Sequence, residues 1–171
     1  MAAAVIVAGC GSGKSSSSTS QVAFKAGFAT SQKEFRKLGT DIARDITGAG
    51  AKTDADLAKE FTALATSAEH QSTQLAALQS PAKYRQRIAS LVAGFHAMKA
   101  DLAKIATAAT DHDASSAEAA TRSLLSDAAK IKTADVSLSK DLGLPGVQGA
   151  SSTTSTTSTS SSVSATHTSG G

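Results

Sequence analysis

The residues with the most available chemistry stand together near the start of the chain: Cys10, then Gly13-Lys14-Ser15. A cysteine thiol is a nucleophile and an acyl acceptor. Gly-Lys-Ser after the short apolar run Val5-Ile6-Val7 is the chemistry of a phosphate loop. There, backbone N–H groups would cradle phosphates, Lys14 would reach the outer ones and Ser15 would ligate Mg²⁺. The histidines, His70, His96, His112 and His167, are the other candidates. None stands in a His-x-x-x-His or Glu-x-x-His pair, the spacings that bring ligands to one helix face. They are therefore expected at solvent, with His96 opposite Ala63 or Leu64 and far from His70. Met98 is expected to fill core space rather than bind copper. No Ser/His/Asp set or paired carboxylates can be recognised, so no catalytic residue, metal ligand or cofactor is assigned.

Each candidate must be positioned by its surroundings, and these choose between the two readings of the N-terminus. Ala8-x-x-x-x-Gly13-Lys14-Ser15 is a relaxed phosphate loop, with Ala8 in place of the first Gly. Such a loop opens a helix, yet Ser15 to Ser20 is a run of residues that each cost up to about 0.5 kcal/mol against Ala in a helix. It also needs a parallel sheet, and no later stretch reads as strands. A nucleotide-binding enzyme using Gly13-Lys14-Ser15 stands as the alternative from another functional class.

Val7-Ala8-Gly9-Cys10, an aliphatic residue and two small ones before cysteine, resembles the lipobox of bacterial lipoproteins. That resemblance implies diacylglyceryl transfer to the Cys10 thiol, cleavage before Cys10 and acylation of the new amine. Residues 1–9 are then the remnant of a signal peptide, and residues 10–21 a lipidated cysteine with a flexible Ser-rich tether. A secretory signal opens with Lys or Arg; none precedes Cys10, and the expectation is a basic residue upstream of Met1. Two or three acyl chains make a stable anchor where one is marginal.

Composition agrees with an all-helical domain. Hydrophobic residues are 40% but aromatics only 4%, so Ala supplies much of the apolar content of the 171 residues. That favours closely approaching helices over a sheet of β-branched residues. The net charge of +3 comes from interleaved acids and bases, which argues against a nucleic-acid footprint. One cysteine allows neither an internal disulfide nor a Cys-based zinc site.

Residues 22–146 carry four amphipathic segments. Phe24, Phe28, Phe35, Leu38, Ile42 and Ile46 share one helical face, opposite Lys25, Lys33, Glu34, Arg36, Lys37 and Asp41. Gly48 is expected to end that helix in a left-handed conformation. Thr53 is the expected N-cap of the second, whose seam runs Leu57, Phe61, Leu64, Ala68, Gln71, Leu75, Leu78. Ser80 should cap the third, with Pro81 as its first residue. The seam there is Tyr84, Ile88, Leu91, Phe95, Met98, Leu102, Ile105, Ala109. Asp113 or Ser115 caps the fourth, Ser115-x-x-Glu118 fitting a capping box. Its seam is less apolar: Ala117, Thr121, Leu124, Ala128, Ile131, Asp135, Leu138, Leu142, ended by Gly143-Leu144-Pro145.

Short links between well-matched helices predict an all-α, up-down-up-down antiparallel four-helix bundle with both ends of the chain on one side. Leu75-x-x-Leu78-x-x-Pro81 followed by a long Ala-rich hairpin resembles small helical lipoproteins of high-GC bacteria, over roughly residues 10–146. No catalytic residue comes with that resemblance. Gln71 and Asp135 interrupt the seams: either they reach water at its edge, or they make a buried contact that fixes register. Lys83, Arg85, Arg87, Lys99 and Lys104 give the third helix a basic side, facing either solvent or anionic headgroups. Residues 147–171, dominated by Ser and Thr beyond Gly149, are expected to be disordered.

The expectation is an extracytoplasmic module, attached to the membrane through Cys10, that binds or scaffolds without catalysis. A secreted, unanchored bundle is the remaining alternative. The protein or envelope partner is left open.

Overall fold

The computed structural model describes residues 15–145. Four helices make an antiparallel up-down-up-down bundle: α1 (Ser15–Gly48), α2 (Asp54–Ala77), α3 (Arg85–Thr110) and α4 (Ala114–Leu142). Cys10, Lys14, His167 and the Ser/Thr tail lie outside the described residues. The seams read from helical spacing are the core, with Phe24, Phe28, Leu75, Leu91, Met98, Leu102, Leu124 and Leu138 almost wholly buried. Ala at many positions between them lets backbones come close, most of all between α2 and α3 and between α3 and α4. At Gly94 of α3 a Cβ would meet Ile131 Cγ1 of α4 at 2.7 Å, so only glycine permits that approach. α1 keeps a greater distance and spans the gap with long side chains. Phe35 meets Phe95 edge-on at 5.2 Å, and Phe24 stacks on Tyr84 at 5.5 Å.

Several local expectations change. α1 begins at Ser15, so the part of the expected tether from Ser15 to Gln21 is helical. Phe24 and Phe28 lock the following turns, and extending a helix already nucleated costs little even through serines. Phe24 stacks on the α2–α3 connection, so α1 runs about 13 Å past that level at 1.5 Å per residue. Gly48 is right-handed (φ −84°, ψ −2°), because the chain tightens into a 3₁₀ turn at Ala49–Ala51 instead of stopping. Pro81 is not the first residue of α3, nor is Ser80 its cap. Pro81 is extended (φ −54°, ψ 147°) and leads into a 3₁₀ turn at Ala82–Tyr84. That turn swings Tyr84 into the core beside Phe24, and its hydroxyl donates to the Asp141 carbonyl at 3.5 Å.

Other caps match the reading. Thr53 Oγ1 accepts from the Asp56 N–H at 3.2 Å. Asp113 caps α4 by accepting from the N–H of Ser116 at 3.0 Å and from its hydroxyl at 2.6 Å. The capping box at Ser115 does not form, since Glu118 pairs with Arg122 instead. Gly143 is left-handed (φ 61°), and Leu144 N–H returns to the Ser139 carbonyl at 2.9 Å, closing a Schellman turn.

The antiparallel order brings the start of α1, the α2–α3 connection and the end of α4 to one end of the bundle. Lys25 Nζ donates to the Gly143 carbonyl at 3.4 Å there. We call it the chain end, and the opposite tip, with the α1–α2 and α3–α4 links, the distal end.

Candidate functional site: an open distal groove above a buried polar layer

The bundle is closed at mid-height by polar side chains that sequence spacing only half disclosed. Gln71 and Asp135 are each 3% exposed, so neither sits at a solvated edge. Asp135 accepts from Gln32 Nε2 at 3.1 Å through both carboxylate oxygens, and the same amide reaches Ser139 Oγ at 2.5 Å. Ser139 Oγ in turn donates to the Asp135 carbonyl at 2.6 Å. Across α1, Gln71 Oε1 accepts from Ser31 at 3.1 Å and its Nε2 donates to Glu34 at 2.5 Å. α1 is thus joined to α4 by one rung and to α2 by another. Both rungs depend on helix rotation, because shifting α1 by one residue would turn Ser31 and Gln32 100° away. Beside them is a cavity of about 10 Å³ lined by Phe28, Gln32 and Asp135, about the room one water occupies.

Toward the distal end the space between helices opens into a groove of about 600 Å³. Ile46 of α1, Leu57 and Phe61 of α2, and Ile105 and Ala109 of α3 form its floor. The cause is α4. At this height it offers Ala114, Ala117 and Thr121, and these small side chains leave the fourth corner of the layer unfilled. Ile46 and Leu57 are accordingly only half-buried. The volume lies in the range of small-molecule sites, which are mostly apolar with a few polar groups at the edge.

The rim charges are engaged with one another. His112 Nδ1 lies 2.5 Å from Asp54 Oδ2, strapping the α3–α4 link to the start of α2. His112 adopts φ 55°, a left-handed conformation that places its ring over this gap. Arg122 pairs with Glu118. Asp113 is used as a cap, and the Ser116 hydroxyl and N–H hold its carboxyl below the ordinary value of 3.8. Such a mouth selects for apolar bulk more than for a charged head.

The remaining candidates disperse. His70 lines a shallow groove between α1 and α2, while His96 lies 3.7 Å from Glu69 of α2. His96 therefore stands about a turn nearer His70 along α2 than the expected Ala63 or Leu64, because the extended Gln79–Pro81 link shifts the hairpin register. The two histidines still occupy different sides of α2. Met98 is 1% exposed in the core. Among the described residues no three His, Cys, Asp or Glu side chains gather as a metal site. The basic residues of α3 do not form one free face. Lys99 pairs with Glu69 at 2.8 Å, Lys104 with Asp101 at 3.1 Å and Arg87 with Asp141, while Lys83 lies 4.6 Å from the Tyr84 ring centroid.

Sequence reasoning missed Gln32, Ser31, Asp45 and Asp101 as buried polar residues. Asp45 is held by Arg44 at 3.1 Å and by Lys52 at 3.2 Å; Lys52 also pairs with Glu60, clamping the α1–α2 link. Asp101 Oδ2 has no hydrogen-bond partner among the described residues. The one signal in sequence was spacing: Ser31 and Gln32 stand three and four residues after Phe28, within the seven-residue step to Phe35, and Asp45 stands beside Ile46.

Compared with known proteins, the chain matches no family model, no curated protein and no solved structure.

Proposed function

We propose that this chain is an extracytoplasmic lipoprotein, held at the membrane by acyl chains on Cys10, that acts as a non-catalytic binding module. The observation that carries the reading is the lipobox-like Val7-Ala8-Gly9-Cys10, placed five residues before the start of a helix that leads into the bundle. No described helix is long and apolar enough to cross a membrane, so attachment through Cys10 would do what a spanning helix does elsewhere. α1 then serves as the connection to the membrane, and the groove at the opposite tip as the ligand site. The phosphate-loop reading of Gly13-Lys14-Ser15 gains a helix that opens at Ser15, but no strand of the parallel sheet it also needs occurs among the described residues.

Detergent-phase partitioning tests the anchor. The wild type expressed with its natural upstream sequence should enter the detergent phase and Cys10→Ala should remain aqueous. If both stay aqueous, the unanchored secreted bundle is the correct reading. Fluorescence of the neutral probe N-phenyl-1-naphthylamine tests the groove. Emission should rise on mixing with the protein, and Ala117→Leu, which fills the empty corner, should suppress it. A probe response unchanged by Ala117→Leu places binding elsewhere.

A further inference from the structure

Of the described large hydrophobic side chains only three are exposed: Val22 (69%), Leu125 (56%) and Val136 (42%). Single exposed apolar residues need no explanation, but these three share a face. On α1, Val22 heads a stripe that continues, at helical spacing, through Lys25, Lys33 and Arg36. On α4, Leu125, Lys132, Val136 and Lys140 form a second stripe, with steps of seven, four and four.

Hydrogen bonds between α1 and α4 show that these stripes are neighbours. Gln32 lies just inside the α1 stripe and bonds Asp135 and Ser139. Val136 and Lys140 each follow one of those residues and so turn 100° outward. Asp141, a further 100° on, faces α3 instead and pairs with Arg87. From α1, Lys25 and Arg36 reach over to the carbonyls of Gly143 and Pro145, each at 3.4 Å. Neither stripe contains Asp or Glu over these residues; the next position of the α4 stripe toward the distal end is Glu118, which pairs with Arg122. Lys25, Lys33, Lys132 and Lys140 are all exposed and form no ion pair with a described carboxylate. On α3, by contrast, Lys99, Lys104 and Arg87 have carboxylate partners, leaving Arg85 as the cation of that helix without one among the described residues.

We infer that the chain-end part of the α1/α4 face is a docking surface for an anionic lipid bilayer, ending before the distal groove. Charge complementarity selects that occupant. Four lysines with no described carboxylate partner, interspersed with apolar side chains, match headgroup phosphates and the acyl boundary beneath them. The choice of membrane as partner rests on the anchored reading proposed above. The surface contact itself is testable without the lipid.

The full-length Cys10→Ala protein would be cosedimented with phosphatidylcholine vesicles with and without phosphatidylglycerol, at low and high salt. Binding should require phosphatidylglycerol and weaken with salt. Each lysine contributes about fivefold, so Lys25→Gln, Lys33→Gln, Lys132→Gln and Lys140→Gln together should weaken binding several hundredfold, to order of magnitude. Lys59→Gln, Lys83→Gln, Lys99→Gln and Lys130→Gln remove the same charge from other faces and should change it far less. Circular dichroism would confirm that both sets fold. Absence of binding to phosphatidylglycerol vesicles, or equal losses in the two sets, overturns the inference. Because Cys10 is absent throughout, neither result bears on acylation, which the detergent experiment reads separately.

Discussion

In the chain-end half of the bundle, Phe24, Phe28 and Tyr84 fill the space between α1 and its neighbours, and Gln32 is bonded across to α4. In the distal half the corresponding corner is occupied by Ala117 and Thr121, and Ile46 and Leu57 are left half-buried. The difference shows how one bundle can be tight at one end and receptive at the other. Stability is concentrated where the layers are complete; an underfilled layer forgoes dispersion contacts but keeps a cavity with a mouth.

The largest expected effect sharpens that contrast directly. Phe28→Ala should cost about 3–5 kcal/mol in urea unfolding, since a ring 1% exposed leaves a cavity. Ile46→Ala, at the groove, should cost only about 1 kcal/mol, because its site is already open. Equal losses would break the comparison.

Next comes the polar rung. Asp135→Leu should destabilise by about 1–3 kcal/mol, because Ser139 can satisfy only one N–H of the Gln32 amide and the other loses its acceptor in the core. Adding Gln32→Leu should restore most of the loss, as replacing both partners by apolar groups removes the unsatisfied donor. Should Asp135→Leu instead raise stability with solubility and oligomeric state unchanged, a role in fixing register would have no support.

Filling the groove is the smaller test. Ala117→Leu should raise stability by about 0.5–2 kcal/mol by completing the distal layer, measured by thermal unfolding beside the probe assay.

Acid should produce the smallest change. The Asp113 carboxyl is held below its ordinary 3.8 by Ser116, and that of Glu69 below 4.5 by Lys99. Both bind protons more weakly folded than unfolded, so their stabilisation is complete above those values and lost as pH falls through the depressed folded ones. Amide protection factors at the start of α4, corrected for intrinsic exchange, should therefore fall in acid before those around Tyr84, and Asp113→Asn should remove this early step.

Much of the fold could be read directly because its determinants are local. Phe24 to Ile46 and Tyr84 to Ala109 carry the spacing of a helix face, and Thr53, Asp113 and Gly143 cap where such residues cap. Where local chemistry competed with packing, packing prevailed. Tyr84 was drawn into the core through a 3₁₀ turn that displaced Pro81 from the first helical position, and Ser15 to Gln21 joined α1 because Phe24 and Phe28 anchor it.

The candidate site was far less legible. Gln71 and Asp135 stood out as polar interruptions, but whether each met water or a partner depended on the rotation of α1. Gln32 and Ser31 carried no mark of burial beyond their spacing of three and four residues from Phe28. The groove depends on four helices presenting side chains of unequal size at one height, and the basic face on which two helices lie side by side. By itself the sequence determined the number of helices, their faces and most of their ends, since these follow from the 3.6-residue repeat and capping within single segments. Only the tertiary structure decided which polar residues are bonded in the core, where the bundle is left open and which lysines lack a carboxylate. Each of these is a property of distances between segments, which no local pattern encodes.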